Sequence, residues 1–149
     1  MKRIVYENLL EFQRGQDPFD ALSLGRLKEI KEWLKPYIFT SNYTINDDWT
    51  INIKKDLIFI NKYHLVEFPP FIQFYECFDS FIFRDANLKS MRGCPKIIWN
   101  DFFVDGNKLE DLEGCPLEVK GDFYINRNKE AFSEEQIRKV CKIDGKLKV

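Results

Sequence analysis

Four cysteines and one histidine are the residues of this chain that could bind a metal ion or support nucleophilic chemistry. The cysteines are Cys77, Cys94, Cys115 and Cys141, and the only imidazole is that of His64. Structural zinc sites use closely spaced Cys and His ligands, typically with a Cys-x-x-Cys pair. No such pair is present, and one histidine leaves no second imidazole for a histidine-based relay. The spacing therefore disfavours a metal site.

Other catalytic motifs are also missing from the sequence. It contains no phosphate-binding Walker loop, no Gly-x-Ser-x-Gly elbow and no His-Glu-x-x-His zinc motif. The adjacent carboxylates Glu134 and Glu135 do not share a helix face, and they suit the first turn of a helix better than acid–base work. We therefore expect no enzymatic activity, no catalytic residues and no cofactor.

The composition indicates one ordinary domain that is rich in aromatic residues. The chain has 149 residues, of which 44% are apolar and 15% aromatic, and 23 basic residues against 24 acidic ones leave a net charge of −1. This balance disfavours a strongly basic nucleic-acid-binding surface. The first residues lack the apolar core of a secretion signal, and no apolar run approaches the ~20 residues that span a bilayer. We expect a cytoplasmic protein that does not enter a membrane.

A repeat of about 21 residues runs through the second half of the chain. Gly-Cys-Pro occurs around Cys94 and again, one period later, around Cys115. Stacked coils would bring these two thiols to about 5 Å from each other, within reach of a disulfide, but a reducing cytosol favours two buried free thiols. Strand-like triplets keep the same period, at Phe81-Ile82-Phe83, Phe102-Phe103-Val104 and Phe123-Tyr124-Ile125. A further copy, Ile58-Phe59-Ile60, is two residues out of step.

The repeat follows a recognisable consensus. Phe102-x-Val104-x-x-Asn107-x-Leu109-x-x-Leu112 fits the core of a leucine-rich repeat, L-x-L-x-x-N-x-L. Alternate strand residues point inward, and the Asn side chain can bond backbone groups where the chain turns out of the strand. The pattern predicts an α/β solenoid with a short leucine-rich-repeat array. We expect about four repeats of about 21 to 23 residues, with parallel strands.

Both ends of the array carry signals of their own. Ser133 and Gln136 form a capping-box pattern, which predicts a short C-terminal helix over the last coil. Apolar residues follow at helical spacing, at Ile137, Val140 and Cys141. At the other end, Trp49-Thr50-Ile51-Asn52-Ile53 alternates apolar and polar residues and predicts the opening strand or N-terminal cap.

The first 42 residues follow a helical pattern. One apolar face lies between Gly25 and Pro36, and opposite it lie charged residues. Asp17-Pro18 is typical of an N-cap followed by proline at the first helical position. The apolar face comprises Leu27, Ile30, Trp33, Leu34 and Tyr37. We predict a helical segment at 1–42, whose apolar face covers the first coil, and a repeat domain with its capping helix at 43–149.

These motifs resemble those of small leucine-rich-repeat proteins encoded by large tailed bacteriophages. The resemblance covers about residues 43 to 132. It is carried by Leu88-x-x-Met91-x-Gly93-Cys94-Pro95, Leu109-x-x-Leu112-x-Gly114-Cys115-Pro116 and Gly121-Asp122-Phe123-Tyr124-Ile125-x-x-Asn128. Asn8 to Pro18 also resembles a leader found on assorted small phage proteins. The resemblance implies protein–protein interaction without catalytic residues, and by association a host-directed or anti-defence role.

The strand register predicts a binding face. The residues between the inward positions should form an exposed column, and large exposed apolar patches usually mark interfaces. This column consists of Phe59, Ile82, Phe103 and Tyr124, and its polar rim contains Arg84, Asp101, Asp105, Asp122 and Asn126. We expect a protein partner here, with two alternatives: the N-terminal helix covers the column, or a second copy of the chain does.

Two other classes of function stay open at this stage. The aromatic column could stack the bases of single-stranded nucleic acid, assisted by nearby cations. These cations are Lys120, Arg127, Lys129, Arg138 and Lys139. Alternatively, the chain could be a self-assembling structural or virion-associated protein. Charge is uneven, with acids concentrated in 100–119 and bases in 120–149, which is typical of solvated faces and could also steer a partner.

Overall fold

The computed structural model describes residues 18–59 and 64–149. In these residues the chain forms a parallel-strand β-solenoid of about four turns, with two α-helices. No helix in this part of the chain has the length and apolarity needed to cross a membrane. The prediction of a solenoid with stacked parallel strands is confirmed.

Each coil contributes one strand to each of two sheets. The helices are α1 (Pro18–Leu34) and α2 (Glu134–Val140). The first sheet contains, in spatial order, β1 (Tyr43–Ile45), β2 (Ile51–Ile53), β4 (Phe74–Cys77), β6 (Ile97–Ile98), β8 (Glu118–Val119) and β10 (Lys142–Ile143). The second sheet contains β3 (Leu57–Phe59), β5 (Phe81–Phe83), β7 (Phe102–Phe103), β9 (Phe123–Tyr124) and β11 (Leu147–Lys148).

The predicted repeat sets the register of the second sheet. Phe81 pairs with Phe102, and Phe102 pairs with Phe123, all in parallel strands. The first sheet was missed by the sequence interpretation, apart from its opening strand. Its strands β6 and β8 follow the Gly-Cys-Pro turns and have only two residues each, too few to show an alternating pattern.

The opening strand lies in a hairpin. β2 occupies Ile51–Ile53, the second part of the predicted segment, and pairs with β1 in antiparallel fashion. All the other strand pairs of both sheets are parallel. β1 therefore closes one edge of the first sheet with a strand of opposite direction.

The first coil is longer by one residue than the sequence alignment implies. The alignment places Ile58 beside Phe81, whereas in the structure Leu57 pairs with Phe81 and Phe59 pairs with Phe83. Because the side-chain period of a strand is two, this slip exchanges the inward and outward faces. Phe59 is therefore only 2% exposed, and Ile58 takes the outward position with 48% exposure. The prediction that Phe59 belongs to the exposed column is wrong.

Phenylalanine occupies the inward position at the start of three successive strands of the second sheet. The buried rings of Phe81, Phe102 and Phe123 pack against one another in a row across three coils, each tilted relative to the next. The ring centroids of Phe81 and Phe102 are 6.1 Å apart, and those of Phe102 and Phe123 are 4.9 Å apart. Many of the aromatic residues of the chain therefore belong to the packed core.

The helix α1 closes the N-terminal end of this core. It runs without interruption through Gly25, where an added side chain would meet no atom within 4 Å. The predicted N-cap, Asp17, lies outside the described residues. Leu27, Ile30 and Leu34 are fully buried. The Trp33 ring lies 5.9 Å from Phe68 and 6.5 Å from Phe59, so the helix covers the first coil from its open end.

The helix α2 begins with the predicted capping box. The Ser133 hydroxyl accepts the Gln136 backbone N–H, and the Gln136 side chain accepts the Ser133 backbone N–H. Ile137 is buried, but Val140 is 44% exposed and Cys141 lies just beyond the helix. The chain then continues: β10 pairs with β8 and β11 pairs with β9. The helix therefore precedes two further strands, one at the edge of each sheet.

Candidate functional site

The outward positions of the second sheet form a column of apolar side chains on neighbouring strands. The pairing places Ile58 beside Ile82, Ile82 beside Phe103, and Phe103 beside Tyr124. We call these four residues the apolar column. The rings of Phe103 and Tyr124 stack face to face, with centroids 4.7 Å apart and planes 4° from parallel. Three of the four predicted column residues are therefore together on one surface, with Ile58 in place of Phe59.

Arg84 lies over the apolar column, where the buried carboxylate of Asp105 holds its guanidinium group. Its guanidinium carbon is 4.9 Å from the centroid of the Phe103 ring. Its Nε and Nη2 groups donate hydrogen bonds to Oδ2 of Asp105, at 3.3 and 3.0 Å. Asp105, placed on the polar rim by the sequence, is instead almost completely buried. A two-point contact of this kind fixes the orientation of the guanidinium plane.

A second arginine also compensates the buried carboxylate. Nη2 of Arg127 donates to Oδ1 of Asp85 and to Oδ2 of Asp105, each at 3.0 Å. The hydrogen bond with Asp85 is the main cause that raises the pKa of Arg127, and the bond with Asp105 contributes next. Gly106 makes the arrangement possible, because its φ is +70° and a side chain there would collide with Asp85.

The predicted acidic rim residues also hold the coils together. The backbone N–H of Asp101 donates to Oγ of Ser80 at 3.1 Å, and that of Asp122 donates to Oδ1 of Asp101 at 2.7 Å. Oδ1 of Asp122 in turn accepts the backbone N–H of Lys146 at 2.7 Å. Both aspartates remain partly exposed beside the apolar column. Asp101 and Asp122 therefore connect neighbouring coils and also place carboxylates along one edge of the apolar column.

Tyr124 joins the apolar column to this edge. Its hydroxyl donates to Oδ2 of Asp122 at 3.4 Å. Partial burial, with a further contribution from Asp122, raises the pKa of the Tyr124 phenol. The phenol therefore stays protonated and keeps its donor role at neutral pH.

The cations of the last coils form ion pairs with acidic residues, two of them between neighbouring coils. Lys129 bonds Glu110 at 2.8 Å and Arg127 bonds Asp105 at 3.0 Å between neighbouring coils, whereas Lys120 contacts Glu118 two residues away on its own coil. The other two cations considered for nucleic-acid binding also lie beside acids, in the pairs Arg138–Glu134 and Lys139–Glu135. Two of these pairs connect the acidic stretch to the basic end across stacked coils, the other three lie within one coil or within α2, and all five cations have acidic neighbours.

The four cysteines are free, buried thiols. Burial is the main cause that raises the pKa of Cys77, to about 12, and that of Cys94. The pKa of Cys115 is raised first by its hydrogen bond with Cys141 and then by burial. The prediction that Cys94 and Cys115 are small buried core residues is confirmed. Among residues 18–59 and 64–149, no cluster of three or more His, Cys, Asp or Glu side chains could hold a metal ion.

Thiol alkylation should therefore depend on unfolding. We expect the native protein to react with iodoacetamide at pH 8.5 at least 100-fold more slowly than the chain unfolded in guanidinium chloride, because the thiolate is the reactive form. Counting alkylated cysteines by mass spectrometry over time measures both rates. Rapid labelling of native Cys94 would contradict its burial.

The sequence interpretation missed a second exposed aromatic pair, Phe78 and Trp99. They follow β4 and β6 directly and are 49% and 48% exposed. Equivalent backbone bonds, to the carbonyls of Ile53 and Cys77, place them on adjacent coils. Nζ of Lys120, on the next coil, lies 5.2 Å from the Trp99 ring centroid. The two rings are one period of the repeat apart, but β6 has only two residues and shows no alternation in the sequence that would mark Trp99 as exposed.

Comparison with known proteins adds no family to this picture. No protein-family model, no curated protein and no solved structure matches the chain. The function must therefore be argued from the geometry of the site.

Proposed function

We propose that this chain is a non-catalytic protein-binding module of the leucine-rich-repeat type, which binds a protein partner through the apolar column and Arg84. The partner presents a bulky apolar side chain to Phe103 and Tyr124. The observation that carries the proposal is the stacked, partly exposed ring pair, with Arg84 fixed over it by the buried Asp105.

The physical basis is preorganisation. Tyrosine and arginine are among the residue types most often found as energetic anchors in interfaces, and anchors held rigid before binding lose little entropy when a partner arrives. Short parallel strands and the Arg84–Asp105 bond hold this set in place. A partner that covers the rings gains their remaining apolar area without having to order them.

The charges around the column favour a protein over single-stranded nucleic acid. Asp101 and Asp122 place carboxylates along one edge, where they would repel phosphates. Arg84 and Arg127 on the other side are already paired with Asp105. A phage origin and a host-directed role in the bacterial cytoplasm belong to the same proposal and rest on the resemblance of the repeats.

The double variant Phe103→Ser/Tyr124→Ser tests the face. We expect it to fold normally and to lose at least tenfold in affinity for the partner, because both anchor rings are removed. The partner is obtained by affinity capture from bacterial lysate with quantitative mass spectrometry, and its binding to purified variants is then measured by calorimetry. The matched control is Phe78→Ser/Trp99→Ser, which removes two exposed aromatics elsewhere on the surface.

Three other results would point to a different binding site or a different binding partner. Full retention of the partner by the Phe103/Tyr124 variant, with loss in the Phe78/Trp99 variant, would move the site to the second pair and overturn the proposal. Binding to a single-stranded oligonucleotide that weakens steeply with salt would support the nucleic-acid alternative. A stable oligomer in sedimentation that dissociates in the Phe103/Tyr124 variant would show that a second copy covers the column.

A further inference from the structure

A separate cavity lies beside the C-terminal half of α1, away from the second sheet. Its volume is about 640 Å³, which is within the range of ligand pockets in proteins. It is lined by Lys28, Lys31, Glu32, Lys35, Ile38, Phe39, Thr40 and Tyr43. Three lysines against one glutamate make its rim cationic.

The lysines are arranged along a line. Lys35 directly follows the last residue of α1, and its backbone N–H donates to the Lys31 carbonyl oxygen at 3.1 Å, as in a helix. Lys28 and Lys35, seven residues apart, therefore lie on about the same side at about 10 Å along the axis, with Lys31 between them. Neither Lys28 nor Lys35 has an ion-pair partner in the described part of the chain. This distinguishes them from the cations of the last coils, which lie beside acids.

The floor of the cavity is apolar. Ile38 and Tyr43 are buried there, while Phe39 is 80% exposed, one of the largest exposed apolar surfaces in the described residues. An exposed phenylalanine next to the ammonium groups of Lys28 and Lys35 fits a ligand that is both anionic and apolar.

We propose that this cavity binds an acidic peptide segment of a partner protein, with one bulky apolar side chain against Phe39 and carboxylates on Lys28 and Lys35. The attachment points of the Lys28 and Lys35 side chains are about 10 Å apart along the axis, and an extended peptide, whose alternate side chains are about 7 Å apart on one face, can present a carboxylate to each of them. This site goes beyond the proposed function, because it shares no residue with the apolar column.

The test is selection of a displayed library of random 12-residue peptides on the full chain. Enriched peptides should combine two or more Asp or Glu residues with one aromatic or branched aliphatic residue. A fluorescein-labelled copy of the most enriched peptide is then titrated with purified variants, and its binding is followed by fluorescence anisotropy. Affinity should fall by at least tenfold in Lys28→Glu/Lys35→Glu and in Phe39→Ser, and should weaken as salt rises.

Matched variants separate the cavity from general charge and from the column. Lys54→Glu/Lys55→Glu makes the same charge change at two exposed lysines outside the cavity and should leave the affinity within twofold. Lys28→Gln/Lys35→Gln avoids acidic residues at the helix C-terminus and should give an intermediate loss. The Phe103/Tyr124 variant should bind the peptide normally, even if it loses its own partner.

Three results would overturn the proposal. The first is a selection that yields no acidic consensus. The second is a peptide that binds the Lys28/Lys35 variant as tightly as the native chain. The third is a self-associated chain that becomes monomeric in the Lys28/Lys35 variant without peptide, which would assign the cavity to a second copy.

Discussion

Replacing Phe102 by alanine should lower the free energy of unfolding by about 3 to 5 kcal/mol. The ring is fully buried between Phe81 and Phe123, and its removal leaves a cavity in the middle of the row. A domain of this size has a total stability of about 5 to 15 kcal/mol, so the loss approaches the point at which the fold fails. Urea unfolding followed by circular dichroism measures the change.

The neighbouring residue provides the matched control. Phe103 lies on the same strand with the same side chain, but it faces outward and is partly exposed. Phe103→Ala should therefore cost less than about 1.5 kcal/mol, mainly through its stacking with Tyr124. If Phe103→Ala destabilised the protein more than Phe102→Ala, the register of the second sheet would be shifted by one residue.

The regular middle of the array was predictable because its period is constant. Equal spacing of identical motifs fixes which residues of successive coils are neighbours, without any knowledge of the turns between them. The same reasoning identified the role of Asn107 and the capping box at Ser133. In both cases a side chain bonds a backbone group only a few residues away or about one period away.

The ends of the array were less predictable because the period changes there. The pairs Leu57–Phe81 and Phe123–Leu147 enclose longer coils than the pair Phe81–Phe102 in the middle. An insertion inside a turn carries no alternating pattern, so its position is invisible in the sequence and the outward residue is misassigned by one. For this reason the sequence predicts an exposed Phe59, whereas in the structure Phe59 is buried and Ile58 is exposed.

The charged residues show a different limit. In the sequence, the acids of one coil and the bases of the next are two separate groups. Stacking of the coils brings residues that are about one period apart in sequence into contact. Glu110 meets Lys129 and Asp105 meets Arg127 because the coils are neighbours in space. The sequence predicts Asp101 and Asp122 as parts of a polar rim. Their bonds to backbone N–H groups of the next coil depend on how the coils stack, which the sequence does not show.

The second large effect is expected at Asn107, where replacement by leucine should cost about 2 to 4 kcal/mol. Its Oδ1 accepts the backbone N–H of Leu88 at 3.1 Å, and its Nδ2 donates to the carbonyl oxygen of Phe83 at 2.6 Å. Nδ2 also lies 3.0 Å from the carbonyl oxygen of Val104. Leucine has a similar size but leaves these buried backbone groups without their side-chain partner.

Asn128 is the matched control for Asn107. It makes equivalent bonds one coil later, to the N–H of Leu109 and to the carbonyls of Val104 and Ile125, but it is only partly buried. Water can replace some of its bonds, so Asn128→Leu should cost about half as much, by urea unfolding under the same conditions. If Asn107→Leu unfolded at the same urea concentration as the native chain, the coil would not need the amide. The bonds of the repeat asparagine would then not be needed to hold each turn against the preceding coil.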